Sequence, residues 1–166
     1  MYFEKIHKGN GMIKQFIFTL VGVLAISGCA STKNTVEYPN LAVTDNELAQ
    51  PKWADLKRFP ARYPEQAVVN SLEGCATVEY VITPDNEIKD VAVVESTNRH
   101  FSVAAKDVIT NWKWKNLPNN IISEPVKTQT RFDFCFDKAG QACSTMEPEY
   151  SCPGQDIIYS RGMKVR

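Results

Sequence analysis

The 166-residue sequence predicts an α+β domain of two layers, a β-β-α-β sheet backed on one face by an amphipathic helix. Three observations carry that prediction. From Cys75 the apolar period is two, with Ala76, Val78, Tyr80 and Ile82 on one face and Thr77 and Glu79 on the other. Phe101, Ala104, Ala105, Val108, Ile109 and Trp112 then fall on the i, i+3, i+4, i+7, i+8, i+11 series of a helix. Finally Phe132, Phe134 and Phe136 alternate with Arg131, Asp133 and Cys135, as in a half-buried strand.

The chain opens on a targeting signal. Residues 13–29 read IKQFIFTLVGVLAISGC, in which Lys14 precedes an apolar run from Phe16 to Ile26. That run falls short of the roughly 20 apolar residues a membrane-spanning helix needs, so cleavage is expected. Ile26-Ser27-Gly28-Cys29 resembles the lipobox of bacterial lipoproteins, which implies that Cys29 carries lipid and becomes the mature N-terminus. Each buried methylene contributes about 0.8 kcal/mol, so two or more acyl chains hold a protein stably at a membrane surface. Ala30 and Ser31 follow the cysteine in place of aspartate, which under the lipoprotein sorting rule favours the outer membrane. Met12 is a more conventional start than Met1, because it places the lysine beside the apolar core.

Removing residues 1–28 leaves 138 residues, enough for one modest domain, with a net charge of about −2. No basic stripe argues for nucleic acid. Cys75, Cys135, Cys143 and Cys152 remain as an even set in an oxidising compartment, which points to two disulfides. Zinc is the alternative, but His100 is the one mature histidine and no C-x-x-C pair exists. Neither metal nor other cofactor is expected.

Residues 29–57 are polar and unpatterned, and read as a lipidated tether with at most a short helix from Trp53 to Lys57. The folded domain is expected over 58–136. Pro64 can open a helix carrying Ala67, Val68 and Leu72 before Gly74. After the first strand, Pro84-Asp85-Asn86-Glu87 makes a hairpin in which Asn86 tolerates the left-handed conformation. The second strand spans Ile88 to Glu95; Ser102 is a candidate N-cap for the long helix, and Leu117-Pro118-Asn119-Asn120 stops it. The last strand runs from Thr128 to Phe136. Residues 137–166 form a tail in which Ile157-Ile158-Tyr159 could add a short strand or pack on the domain.

Catalysis has little support. There is no Cys-His or Ser-His-Asp set, no glycine-rich phosphate loop and no H-E-x-x-H, and Asp85, Asp90 and Asp107 scatter over a turn, a strand end and a helix. Trp112 and Trp114 could stack on carbohydrate, but at the end of an amphipathic helix Trp112 reads as core.

Tyr63-Pro64 with Ala67, Glu73-Gly74, Val81-Ile82-Thr83-Pro84-Asp85-Asn86, Ser96, Phe101 with Ala104-Ala105, and Trp112-Lys113-Trp114 occur in an ordered set. The set resembles the C-terminal domain of TonB and its relatives, the TolA type included. That resemblance covers Tyr63 to Phe136, with Asn86 where glycine is usual. It implies strand order 2-1-3, the last strand lying antiparallel beside the first with a free outer edge. It also implies that Cys75 faces Cys135 in a cross-strand disulfide, leaving Cys143 to pair with Cys152.

In such domains the free edge accepts an extended peptide from a partner, typically the TonB box of an outer-membrane receptor, by β-augmentation. The resemblance therefore implies a partner-binding edge at Thr128, Gln129, Thr130, Arg131, Phe132, Asp133 and Phe134, with Arg131 and Asp133 facing outward to discriminate partners. The expected protein is a non-catalytic, lipid-anchored periplasmic module. It would bind an envelope protein, a TonB-dependent receptor or another lipoprotein or Tol-type component, and assist TonB-dependent transport across the outer membrane. The alternative is a TolA-like structural scaffold. Coupling to a proton-driven motor is not expected of a lipid-anchored chain.

Overall fold

The computed structural model describes residues 37–138 and 140–163, so the signal segment and Cys29 lie outside the described residues. Thr35–Arg166 is a compact unit in its own right. Its elements are α1 (Glu65–Val69), β1 (Gly74–Ile82), β2 (Ile88–Ser96), α2 (Arg99–Asn111), β3 (Val126–Phe136) and β4 (Ile157–Gly162). The architecture is α+β, as the periodicities predict. No helix of the described residues is long and apolar enough to cross a membrane.

Sheet order is β2-β1-β3-β4. The predicted 2-1-3 core is present, with β1 antiparallel to both neighbours. The addition is β4, which lies parallel to β3 from Arg131↔Ile157 to Phe136↔Gly162. Ile157, Ile158 and Tyr159 thus do form a strand, and the tail belongs to the sheet.

The hairpin turns at Asn86, whose φ of 58° is the left-handed conformation its short amide side chain tolerates. Asn86 also donates through Nδ2 to the Pro118 carbonyl at 3.0 Å, tying the turn to the loop after α2. The long helix starts earlier than Ser102. Asn98 is its N-cap, its side chain accepting from the His100 N–H at 2.9 Å, while the Ser102 hydroxyl donates back to the Arg99 carbonyl. Glycine is needed at 74, where a Cβ would collide with the Thr97 hydroxyl and the Phe101 ring. That hydroxyl accepts the Cys75 N–H at 3.0 Å, locking the start of β1 to the entry of α2.

One face of the sheet carries the core. Phe101, Ala105, Val108 and Ile109 of α2 pack on Ala76, Val78, Tyr80 and Ile82 of β1 and on Phe132 and Phe134 of β3. Phe101 stacks on Phe134 with ring centroids 4.4 Å apart. Trp112 and Trp114 are both buried, so neither offers a stacking platform.

The tether proves shorter than predicted. Leu48, Trp53 and Leu56 enter the core, and Trp53 meets Trp114 edge to face at 6.3 Å. Glu47, buried among them, accepts hydrogen bonds from Gln50 and Trp53 and pairs with Lys52. A polar composition hid this strap because three apolar anchors suffice to bind it, and its one buried carboxylate is fully partnered.

Part of the opposite face is covered as well, by the tail, which packs on Cys75 and Thr77 of β1 and Arg131 of β3. Cys75 is bonded to Cys152 and Cys135 to Cys143, so the two disulfides are present but the predicted pairing is corrected. The cause is register. In the β1/β3 ladder Cys75 faces Asp133 and Gly74 faces Phe134, which carries Cys135 past the start of β1 and out of reach. Cys152 is brought to Cys75 because residues 152–154 lie flat on the sheet, where the Thr77 hydroxyl donates to the Pro153 carbonyl.

Candidate functional site

The predicted site is the outer edge of β3, and its backbone sets what it can do. One side of β3 bonds to β1 from Ile82↔Val126 to Gly74↔Phe134. In an antiparallel ladder alternate residues point their N–H and C=O groups the other way, and here these are Lys127, Gln129, Arg131, Asp133 and Cys135. Two segments meet them. At the first end Val43 bridges Lys127, the Thr44 N–H donates to the Lys127 carbonyl at 2.8 Å, and the Thr128 hydroxyl donates to the Thr44 carbonyl at 2.8 Å. At the other end the Arg131 N–H donates to the Asp156 carbonyl at 2.8 Å, and β4 follows in unbroken register to Phe136.

Between these closures Gln129 is the one outward-pointing residue left among the described residues. The free edge expected at Thr128–Phe134 is therefore occupied by the chain itself. Sequence could not show this, because the two closing segments lie some 80 residues before β3 and 20 residues after it, joined to it by tertiary contact alone.

The side chains on this strand are equally committed. Arg131 and Asp133 do share the face away from the helix, but they bind one another, Nε to Oδ1 at 2.6 Å and Nη2 to Oδ2 at 2.9 Å. Asp133 is only 2% exposed, and Arg131 Nη1 donates to the Cys152 carbonyl at 2.9 Å. These charges hold the tail on the sheet instead of facing a partner. Gln129 donates to Glu79 Oε2 at 3.0 Å. Thr128, Thr130, Phe132 and Phe134 point to the helix side and are buried.

Asp156 is the residue the sequence reading missed. It precedes β4, is buried, and accepts from Arg58 Nη1 with both carboxylate oxygens at 2.8 Å and from the Thr130 hydroxyl at 2.8 Å. Tyr80 continues the chain, its hydroxyl 2.9 Å from Thr130 Oγ1. Burial holds the Tyr80 hydroxyl neutral well above the ordinary tyrosine range. The Arg58 guanidinium also lies over the Trp112 ring at 5.8 Å. This network fixes the entry point of β4 with a charge-assisted bond to the strap, so strap and tail meet at the β3 edge. Its only sequence signal was an aspartate in front of three apolar residues, and nothing there named Arg58 as its partner.

Residues 60–136 match the family model described as Gram-negative bacterial TonB protein C-terminal. Among solved structures the chain is similar to the NMR solution structure of the Helicobacter pylori TonB-CTD, with 26% identity over 44% of this chain and 77% of that one and a TM-score of 0.37. It is also similar to the solution NMR structure of the Pseudomonas aeruginosa TonB CTD, with 24% identity over 48% of this chain and 85% of that one and a TM-score of 0.38. None of the curated proteins matches the sequence significantly. The strap before residue 60 and the tail after Phe136, the two segments that close the β3 edge, both lie outside the family match.

Proposed function

We propose, from the premise that residues 60–136 are a domain of the TonB C-terminal family, that this chain is a non-catalytic, lipid-anchored binding module of the cell envelope. It pairs by β-augmentation with an extended segment of an envelope protein, a TonB-dependent receptor or another envelope component, and assists transport across the outer membrane. Cys29 is its lipid-bearing residue.

The observation that carries this reading is β4 itself. Six consecutive residues of β3, Arg131 to Phe136, hold an extended strand in continuous register. The edge is thus competent for strand addition, and the backbone groups that β4 now satisfies would supply affinity for any strand of suitable shape that replaces it. A guest takes this edge by displacing β4, which acts as an intramolecular competitor. The tail stays attached meanwhile, since Cys152 and Asp156 are bound upstream of the strand.

The test compares the chain with a form truncated after Asp156. A synthetic peptide of residues 156–163, and separately a peptide carrying a TonB-box sequence, are titrated while the β3 amide signals are followed by NMR. The truncated form should bind the first peptide with shifts confined to Gln129–Phe136, and the TonB-box peptide should compete for the same amides. If neither peptide moves those signals in either form, the guest-strand reading fails. The alternative, a structural scaffold of Tol type, is favoured by the closure of β3 in the resting molecule, and it predicts that null result.

A further inference from the structure

Closing β3 leaves β2 as an outer strand at the other end of the sheet. Ala92, Val93, Val94 and Glu95 are exposed there, with Val93 at 39% and Val94 at 47%, a row of apolar residues along a sheet border. We propose that this β2 edge pairs antiparallel with the β2 edge of a second copy of the chain, about a two-fold axis at Ala92.

The backbone permits it. Odd-numbered residues of β1 bond to β2, because the even-numbered ones face β3, whose Arg131 N–H is turned outward to Asp156. The β1 pairs Thr77↔Glu95, Glu79↔Ala92 and Val81↔Lys89 therefore carry the bonds, and Val91 and Val93 present their N–H and C=O groups to solvent. Rotation about Ala92 brings Val91 opposite Val93 of the other copy, which makes two hydrogen-bonded pairs flanking the axis.

The side chains repeat the symmetry. Val91, packed against the core, and Val93, opposite Val78, share the helix side of the sheet, and Lys89, Ala92 and Glu95 share the other. The rotation sets Lys89 against Glu95 of the second copy, twice, with opposite charges on the same face. The register with β1 skips Asp90 and Val91 on one side of Ala92, with Asp90 at a φ of 48°, and Val94 on the other; Asp90 and Val94 are equidistant from Ala92, so the irregularities fall against each other instead of breaking the pairing. Asp90 brings no unsatisfied charge opposite Val94, since its carboxylate accepts the N–H groups of Glu37 at 2.9 Å and Tyr38 at 2.7 Å. An isologous contact of this kind needs one strand to be its own complement, and β2 satisfies that in backbone direction, face, bulge position and charge. An unrelated guest strand would have no reason to match all four.

The contact is short, so it is captured covalently. Opposed residues at a non-hydrogen-bonded position have Cα atoms about 4.5 Å apart, inside the roughly 4.4–6.8 Å range of a disulfide. A chain beginning at Cys29, with Cys29→Ser and Ala92→Cys, is oxidised at high concentration and compared with the same chain carrying Val103→Cys on the exposed side of α2 in place of Ala92→Cys; peptide mapping checks that the two native disulfides persist. Ala92→Cys should give a homodimer in at least about five-fold higher yield than Val103→Cys. Adding Lys89→Glu alone, or Glu95→Lys alone, should cut the yield several-fold, whereas an equimolar mixture of these two variants, or the double exchange in one chain, should restore it. Equal yields at 92 and 103 overturn the proposal. So does indifference to the charge reversals, or their failure to rescue one another while each variant keeps the wild-type circular dichroism.

Discussion

Phe134 shows how a residue can satisfy two expectations that turn out to compete. As the middle member of an alternating aromatic triplet it was expected in the core, and as part of an outer strand it was expected beside a partner. The structure buries it completely, stacked on Phe101 and edge to face with Tyr63 at 5.6 Å. Replacing it by alanine removes most of those contacts and leaves a cavity, a change that costs about 3 to 5 kcal/mol. Urea unfolding should show that loss as a lower midpoint at unchanged slope, and a change under about 1 kcal/mol would mean that the ring is not core. Arg131 and Asp133 teach the opposite lesson. Alternation placed them correctly on the face away from the helix, yet face says nothing about cover, and the tail converts two apparent surface charges into an internal bidentate pair.

At the scale of elements, the two disulfides divide the work of holding the tail. Cys75–Cys152 joins β1 to the segment before β4 across 77 residues, whereas Cys135–Cys143 closes a span of 8. In the chain-entropy model such loops are worth about 4.5 and about 2.5 kcal/mol. Removing both cysteines of the long pair by alanine substitution should therefore destabilise the fold by about 2 kcal/mol more than removing the short pair, measured by denaturant titration. Peptide mapping without reduction should return these two links, and recovery of a Cys75–Cys135 peptide would contradict the β1/β3 register. The elements themselves were legible: both periodicities, the hairpin asparagine and the stop after α2 fall where local patterning puts them. The N-cap moved from Ser102 to Asn98 because the last strand residue and first helix residue are separated by only two positions, leaving Asn98 as the one side chain placed to cap.

For the whole molecule, the folded unit is larger than the family match at both ends, and both extensions converge on one border of the sheet. Arg58 of the strap and Asp156 of the tail meet there, so a change at either end loosens the same edge. The proposed membrane attachment is a separate property, resting on Cys29, which lies outside the described residues. Cys29→Ser should release the otherwise intact protein from the membrane fraction on centrifugation after cell lysis, and a variant that still sediments with membranes would place the anchor elsewhere.

Local rules settled the number of core strands, the amphipathic helix, the hairpin and the membership of Phe132, Phe134 and Trp112 in the core, because each depends on spacing within about a dozen residues. The even cysteine set likewise told of two disulfides. Which cysteines join Cys75 and Cys135, which border of the sheet stays open and what covers the charged face of β3 were decided by tertiary contacts, most between segments about 20 to 100 residues apart. No periodicity encodes such meetings. They follow from how a polar strap and a tail, each with a few apolar or charged anchors, meet on the backbone of the β3 border.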